Sequence, residues 1–216
     1  MDFTLNIIIV LIAAQLLLSN NIEAYEKSVF SIKQLRKNRE FYRLISSGFI
    51  HSGWMHLFVN SFAIYNFSPI LVQNFGSIPT ALIFLASVLG SSLVMWWRKR
   101  NFSDYQAVGA SGGVSGLVML AFYLYPEMPI GIFLIPGYLP AYIFGILFAL
   151  ISIGLTYAKN PQHIAHEGHL GGLLVGGLTG ACFYGFNFSS GSLLGLFWLG
   201  TVSIAIWLFL PLKKTV

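Results

Sequence analysis

The organisation of this chain is set by residues 109–116, which read Gly109-Ala110-Ser111-Gly112-Gly113-Val114-Ser115-Gly116. An apolar run follows and stops at Pro126, so a helix that begins at Ser111 has about fifteen residues and is roughly 22 Å long. The hydrocarbon core of a bilayer is thicker, at about 30 Å. Such a helix begins below the membrane surface, where irregular chain survives only if it is buried in protein or lines water. We therefore expect a wet indentation that ends at Ser111.

The composition around this stretch is that of a membrane protein. The chain has 216 residues, of which 56% are hydrophobic, 16% aromatic and 9% charged, and its mean hydropathy is +0.75. A soluble domain carries about 25% charged residues. These values exclude a disordered chain, a coiled coil and an ordinary water-soluble enzyme. The net charge of +5 comes from basic residues in loops between apolar runs, which indicates headgroup contact and not a nucleic-acid partner.

Seven apolar runs are candidate membrane-spanning helices. They are Phe3–Leu18, Trp54–Val72, Ile78–Trp97, Ser111–Tyr125, Leu139–Tyr157, Gly168–Tyr184 and Ser192–Leu210. The first run lacks a basic flank and a small-residue cleavage site, so we expect an uncleaved helix and not a signal peptide. No long repeat or polar linker interrupts the chain. The prediction is an all-α, polytopic membrane helix bundle that forms a single domain over residues 1–216.

Two further segments place polar side chains at helix starts. Residues 51–60 carry His51, His56 and Asn60, and the last two lie four residues apart, on one helix face. Residues 166–172 open the sixth run and contain His169. Because each span swaps sides, the loops before the second, fourth and sixth spans lie on the same side of the membrane. Polar groups from three segments thus converge at similar depth, which in a membrane indicates a functional site.

These residue types suit acyl-transfer chemistry. A serine hydroxyl is a weak nucleophile until a base takes its proton, and His169 can be that base for Ser111. The side chains of His56 and Asn60, with the backbone N–H of Ser111, can bind a developing oxyanion. No acidic residue lies inside a core span, so a Ser–His dyad is predicted, and Glu167 projects about 100° away from His169 on a helix. No cofactor or metal is needed.

A second serine leaves the identity of the nucleophile open. Residues 113–116 form another Gly-x-Ser-Gly sequence around Ser115. We favour Ser111 because it lies at the helix start, where free N–H groups can bind an oxyanion. The alternative nucleophile, Ser115, lies one turn deeper.

The glycine spacing predicts how two spans meet. Gly112 and Gly116 are four residues apart, and so are Gly172, Gly176 and Gly180. Small residues at this spacing let helices pack backbone to backbone, so the fourth and sixth spans should be in contact and bring Ser111 to His169. Close packing without catalysis is the alternative interpretation of the glycines.

The residues fit two other classes of function less well. His163, His166 and His169 are spaced by three residues, which on one helix could form a metal-binding face. Against this, His163 and His166 fall in a loop beside Pro161, and no His-Glu-x-x-His motif is present. A small transporter would favour inverted repeats, which the sequence does not show.

Together the three motifs resemble the rhomboid family of intramembrane serine proteases. The resemblance covers Gly109–Gly112, the histidines and asparagine at His51, His56 and Asn60, and the start of the sixth span at His169–Gly172, within roughly residues 40–180. It implies a six-helix core, about residues 1–184, and an extra carboxy-terminal helix, about residues 192–210. It also implies Ser111 as nucleophile, His169 as base, oxyanion roles for His56 and Asn60, and transmembrane protein substrates. A rhomboid-like protein that binds or escorts membrane clients without catalysis is the alternative.

Three features depart from the family pattern. Tyr42-Arg43 stands where members often have Trp-Arg, and Ser115 occupies the place of an aromatic that stacks on the histidine. All twelve Lys and Arg residues fall on the side of the candidate site, so the positive-inside rule directs that side to the cytosol. The resemblance implies the opposite orientation, and both stay open. We expect a plasma or inner membrane location; the sequence indicates no oligomeric state.

Overall fold

A computed structural model describes residues 2–132, 135–157 and 165–184, together with residues 204 and 207. Apolar runs of helix-forming sequence make up most of this part of the chain. The helices are α1 (Phe3–Ser19), α2 (Ile22–Ser28), α3 (Ile32–Lys37), α4 (Arg43–Ser46), α5 (Trp54–Phe75), α6 (Ser77–Lys99), α7 (Ser111–Leu124), α8 (Ala141–Thr156) and α9 (His166–Tyr184). A 3-10 turn spans Ser47–Phe49.

The predicted all-α bundle is confirmed over the described residues. Helices α1, α5, α6, α7, α8 and α9 coincide with the first six predicted spans to within a few residues. By length and hydropathy, α5 and α6 are long and apolar enough to cross a membrane, while α1, α7 and α8 are shorter apolar helices. The predicted seventh span, 192–210, lies outside the described residues except for Ile204 and Trp207, which are helical and buried. The predicted short length of the fourth helix is confirmed, since the 14 residues of α7 give about 21 Å of helix.

Two short pairs of antiparallel strands occur in the described loops. Strand β1 (Phe30–Ser31) pairs with β2 (Gln106–Ala107), which ties the first loop to the chain that leads into α7. Strands β3 (Pro129–Ile132) and β4 (Ile135–Pro140) form a hairpin between α7 and α8. The Pro-rich segment 126–138, which the sequence presents as a loop, thus contains a hairpin.

The first loop is ordered around one buried arginine. The Arg43 side chain is 4% exposed and donates hydrogen bonds to the carbonyl oxygens of Glu26 and Val29 at 2.6 and 2.7 Å. It also pairs with Glu40 at 2.6 Å. Charge-assisted bonds of this kind are the stronger ones in proteins, so Arg43 fixes the loop that leads to α5.

Small residues let α6, α7 and α9 approach at backbone distance. On α7, Gly112 and Gly116 lie against Ser91 and Ser87 of α6. A Cβ on Gly172 of α9 would overlap the carbonyl of Gly112, and one on Gly176 would overlap the carbonyl of Gly116. The predicted close packing of the fourth and sixth spans is therefore confirmed.

Candidate active site

The start of α7 presents unpartnered backbone N–H groups beside Ser111. Ala110 precedes the helix without a side-chain cap, and the first intrahelical bond of the turn runs from the Val114 N–H to the Ala110 carbonyl at 2.9 Å. The N–H groups of Ser111, Gly112 and Gly113 precede that bond and have no acceptor within the helix. A helix start of this kind attracts negative charge.

The segment just before α7 is held by the chain before α5. Gly109 adopts a φ of +126°, a conformation that favours glycine, and its N–H donates to the Ser47 carbonyl at 2.9 Å. The Ala110 N–H donates to His51 Nε2 at 3.3 Å. The position of Ser111 is thus set by contacts to residues about sixty positions earlier in the chain.

His51 acts on the candidate site through this backbone bond. Its side chain is 1% exposed, its own N–H donates to Gln15 Oε1 at 3.2 Å, and its carbonyl accepts from Tyr25 at 3.3 Å. Because Nε2 accepts from Ala110, the ring is neutral with its proton on Nδ1. His51 is therefore a positioning residue for the loop before Ser111. The sequence did not reveal this role, because the bond joins residues 59 positions apart.

We expect His51 to make the fold sensitive to acid. Burial lowers the pKa of His51 from 6.5 to about 4, so between these pH values the unfolded chain binds a proton that the folded chain excludes. Stability is then lost as pH falls from about 6.5 towards 4, by up to about 3 kcal/mol. Thermal unfolding of purified wild type and His51→Gln across this window measures the effect. The variant should lose less stability on acidification; equal losses in both proteins would contradict the assignment.

His56 lies directly against the loop that leads to Ser111. A Cβ on Gly109 would lie 2.6 Å from His56 Cε1 and 2.7 Å from Nε2, so no side chain fits between the ring and this backbone. The ring Nδ1 is 3.1 Å from Ser52 Oγ. When Ser52 donates to Nδ1, Nε2 carries the proton and is a hydrogen-bond donor beside Gly109. The structure thus brings His56 to the predicted site.

Asn60 is one turn further along α5, on its buried face. It is 4% exposed and shares this face with Leu57 and Ile64, which belong to the same apolar cluster as Ala110 and Val114. The Asn60 Nδ2 group is buried and has no hydrogen-bond partner among the described residues. An unsatisfied buried donor costs about 1–3 kcal/mol, and such groups call for a functional explanation.

His169 lies in the first turn of α9, where that helix contacts the first turn of α7. A Cβ on Gly112 would lie 3.5 Å from the Gly168 carbonyl, so the residues next to Ser111 and His169 are in backbone contact. His169 Nδ1 is buried and has no partner among the described residues. Among the described residues no hydrogen bond joins Ser111 to His169, so their proximity rests on the backbone contact between the two helix starts.

An aromatic side chain from α8 covers the His169 ring. Phe148 stacks on His169 with ring centroids 5.6 Å apart and an interplanar angle of 29°. In the family pattern this ring lies one turn after the serine, at the position that Ser115 occupies on α7. The structure instead supplies it from another helix, which sequence reasoning missed.

The two candidate serines have different surroundings. Ser111 is half-buried and lines a cavity of about 20 Å³ with Ser91 and Gly109, which has room for about one water molecule. Ser115 is buried, at 6% exposure, inside α7. The position of Ser111 favours it as the nucleophile.

The acidic neighbour of His169 has another partner. Glu167 is 4% exposed and pairs with Lys99, at the end of α6, at 2.7 Å. This pair anchors the start of α9 to α6, as expected for a carboxylate that points away from His169. His163 lies outside the described residues, and among the described residues no three His, Cys, Asp or Glu side chains are grouped as metal ligands.

Much of the chain is similar to proteins of one known family. The family model of the Rhomboid domain matches residues 38–186. The chain is 33% identical over 147 residues to RHOMBOID-like protein 6, mitochondrial, of Arabidopsis thaliana, covering 67% of this chain and 44% of that protein. It is 28% identical over 152 residues to Rhomboid protease GluP of Bacillus subtilis, covering 68% of this chain and 26% of that protein.

A third relative is named as inactive. Inactive RHOMBOID-like protein 8 of Arabidopsis thaliana is 32% identical over 91 residues, covering 42% of this chain and 26% of that protein. In each case the chain spans less than half the length of the relative it matches. The relatives include a protein named as mitochondrial, which gives no support to the expected plasma-membrane location.

The family is shown by the match of the Rhomboid domain to residues 38–186, which agrees with the helical bundle and with the motifs at the starts of α5, α7 and α9. This chain is therefore a membrane protein of the rhomboid family.

Proposed function

We propose that this chain is an intramembrane serine protease that crosses the bilayer several times and hydrolyses peptide bonds in or beside transmembrane segments of its substrates. The observation that carries the proposal is the backbone contact of α7 with α9 at Gly112 and Gly172. It places the turns that hold Ser111 and His169 side by side. The family match and the relative named as a protease support the same activity.

The proposed reaction uses only groups of the chain and water. Ser111 Oγ attacks the scissile carbonyl carbon while His169 takes the hydroxyl proton. The resulting oxyanion accepts hydrogen bonds from N–H groups at the start of α7, His56 Nε2 and Asn60 Nδ2. His169 then protonates the leaving amine as the C–N bond breaks. In the second half His169 takes a proton from water, whose oxygen attacks the acyl carbon, and gives that proton to Ser111 Oγ as the ester C–O bond breaks and the acid product leaves.

The unpartnered Asn60 amide fits an oxyanion role. Hydrogen-bond donors that are already in place need no reorganisation when negative charge develops, and removing one such donor costs about a hundredfold to a thousandfold in rate. Asn60 Nδ2 has no partner among the described residues, so it can donate to the oxyanion without giving up another bond within them.

Cleavage of a membrane-embedded substrate tests the proposal. The purified full chain is reconstituted in liposomes with a fluorescently labelled protein that has one transmembrane segment. We expect cleavage by wild type, loss of cleavage in His169→Ala and retention of most activity in His166→Ala. The matched control is apt because His166 lies beside His169, with ring centroids 5.8 Å apart. A folded wild type that binds the substrate without cutting it would favour the alternative, a client-binding protein.

Phe148 should matter for turnover more than for substrate binding. Stacked rings contribute about 0.5–1.5 kcal/mol, so we expect Phe148→Ala to lower kcat about tenfold with little change in KM, because the His169 ring loses its support. Phe148→Tyr should restore kcat, and Phe148→Leu should not. The control is Phe144→Ala, which removes an α8 ring that contacts Phe122. Equal losses in Phe144→Ala and Phe148→Ala would show that only helix packing is involved.

A further inference from the structure

We infer that a groove at the end of α6 binds an anionic phospholipid, with its phosphate at Arg36 and Arg100 and an acyl chain along Leu93 and Trp97. This inference is independent of the proposed protease activity. The groove has a volume of about 580 Å³, and its lining consists of Arg36, Leu93, Trp96, Trp97, Arg100 and Asn101. One end of the groove is apolar and the other is cationic, so the groove matches a ligand that has an apolar tail and an anionic headgroup.

The apolar wall belongs to the exposed side of α6. Leu93 and Trp97 lie four residues apart, on one face of α6, and are 42% and 41% exposed. By length and hydropathy α6 is long and apolar enough to span a membrane. Tryptophan near the end of such a helix lies at the level of the headgroups. A lipid tail can therefore enter this wall directly from the bilayer.

The cationic end is organised by contacts within the protein. Arg36 Nη1, on α3, donates to the Arg100 carbonyl at 2.8 Å, which brings the two arginines to the same end of α6. The Arg100 guanidinium lies 5.5 Å from the centre of the Trp97 ring. These contacts hold the cations beside the apolar wall, so less conformational freedom is lost when a ligand binds.

Charge selects the ligand class. Among the described residues no carboxylate lies within ion-pair distance of Arg36 or Arg100; the ion pairs found there join Lys27 to Glu23, Arg43 to Glu40 and Lys99 to Glu167. A guanidinium presents several N–H donors in a planar fork that matches phosphate oxygens. Phosphatidylcholine has a cationic choline that two arginines disfavour, and inorganic phosphate has no tail to cover Leu93 and Trp97. The groove therefore suits a lipid with net negative charge.

Native mass spectrometry of the full chain in neutral detergent tests this inference with phosphatidylglycerol as the probe. Wild type should retain phosphatidylglycerol over phosphatidylcholine. The double variant Arg36→Gln/Arg100→Gln should lose about thirtyfold in phosphatidylglycerol affinity, which corresponds to a loss of about five- to sixfold per arginine. The matched control is Lys33→Gln/Lys37→Gln, which removes the same charge from exposed positions of α3 outside the groove. At physiological salt its effect should be much smaller, because charges outside the groove do not contact the bound phosphate and act on it only through screened long-range attraction.

Each result decides for or against the groove. Equal losses in the two double variants would show bulk surface charge and would overturn the inference, as would equal retention of both lipids by wild type. Glycerol phosphate, which has the headgroup without a tail, should not compete with phosphatidylglycerol for the groove. Competition would show that Leu93 and Trp97 do not contribute to binding and would contradict the inference. Should the arginine variant unfold, Trp97→Ala takes its place, with weaker phosphatidylglycerol retention expected and unchanged retention contradicting the inference. None of these readouts depends on proteolysis, so failure of the groove and failure of the proposed function are distinguishable.

Discussion

Ser111→Ala should abolish cleavage of a transmembrane substrate, with a loss of at least about a thousandfold in kcat/KM, while Ser115→Ala retains most of the activity. Removing the nucleophile leaves only the contribution of binding and oxyanion stabilisation. Ser111 is half-buried at the start of α7, beside N–H groups without helical partners, whereas Ser115 is buried within the helix.

The comparison of the two serines is informative because both residues belong to a Gly-x-Ser-Gly sequence on one helix. Initial rates at equal concentrations of folded protein measure it, with thermal unfolding as the check on folding. An active Ser111→Ala protein together with an inactive, folded Ser115→Ala protein would transfer the nucleophile to Ser115.

Gly172→Ala should have the largest effect on the fold. The added methyl group would overlap the Gly112 carbonyl, and because that neighbour is backbone and not a flexible side chain, α7 and α9 must separate. Overpacking typically costs about 1–3 kcal/mol, and we expect a cost at or above the top of that range. Cleavage should be lost as well, since the same contact keeps Ser111 near His169.

Gly154→Ala is the matched control for this substitution. Gly154 lies in α8, and a Cβ there would meet no atom of the described residues within 4 Å. The same change in an open helical position should leave stability unchanged or raise it slightly, since alanine favours helix by about 1 kcal/mol over glycine. Thermal unfolding of both variants in detergent measures the difference. A Gly172→Ala protein as stable and active as Gly154→Ala would disprove the tight crossing of α7 and α9.

Helix positions and the α7–α9 contact were predictable from the sequence for a simple physical reason. Hydrophobic run length sets the spans, and glycines four residues apart must share one helix face. Gly112 and Gly172 therefore met as expected. Such patterns are local, so the sequence displays them directly.

Other contacts could not be predicted because they join distant positions without a spacing rule. Phe148 reaches His169 from α8, a helix with several aromatic residues, and no pattern distinguishes Phe148 from Phe144. The bond from Ala110 to His51 likewise depends on how the loop before α5 folds. Pairing of β1 with β2 joins Phe30 to Ala107, far apart in the chain, and two-residue strands leave no sequence pattern.

We propose that His169 activates Ser111 at the crossing of α7 and α9. The most direct measurement treats the full chain with a serine-directed fluorophosphonate and maps the modified residue by mass spectrometry. We expect one adduct, on Ser111 Oγ, that is lost in His169→Ala and in Gly172→Ala and persists in His166→Ala. An adduct on Ser115, or a folded wild type that cleaves substrate and carries an adduct on neither serine, would contradict it.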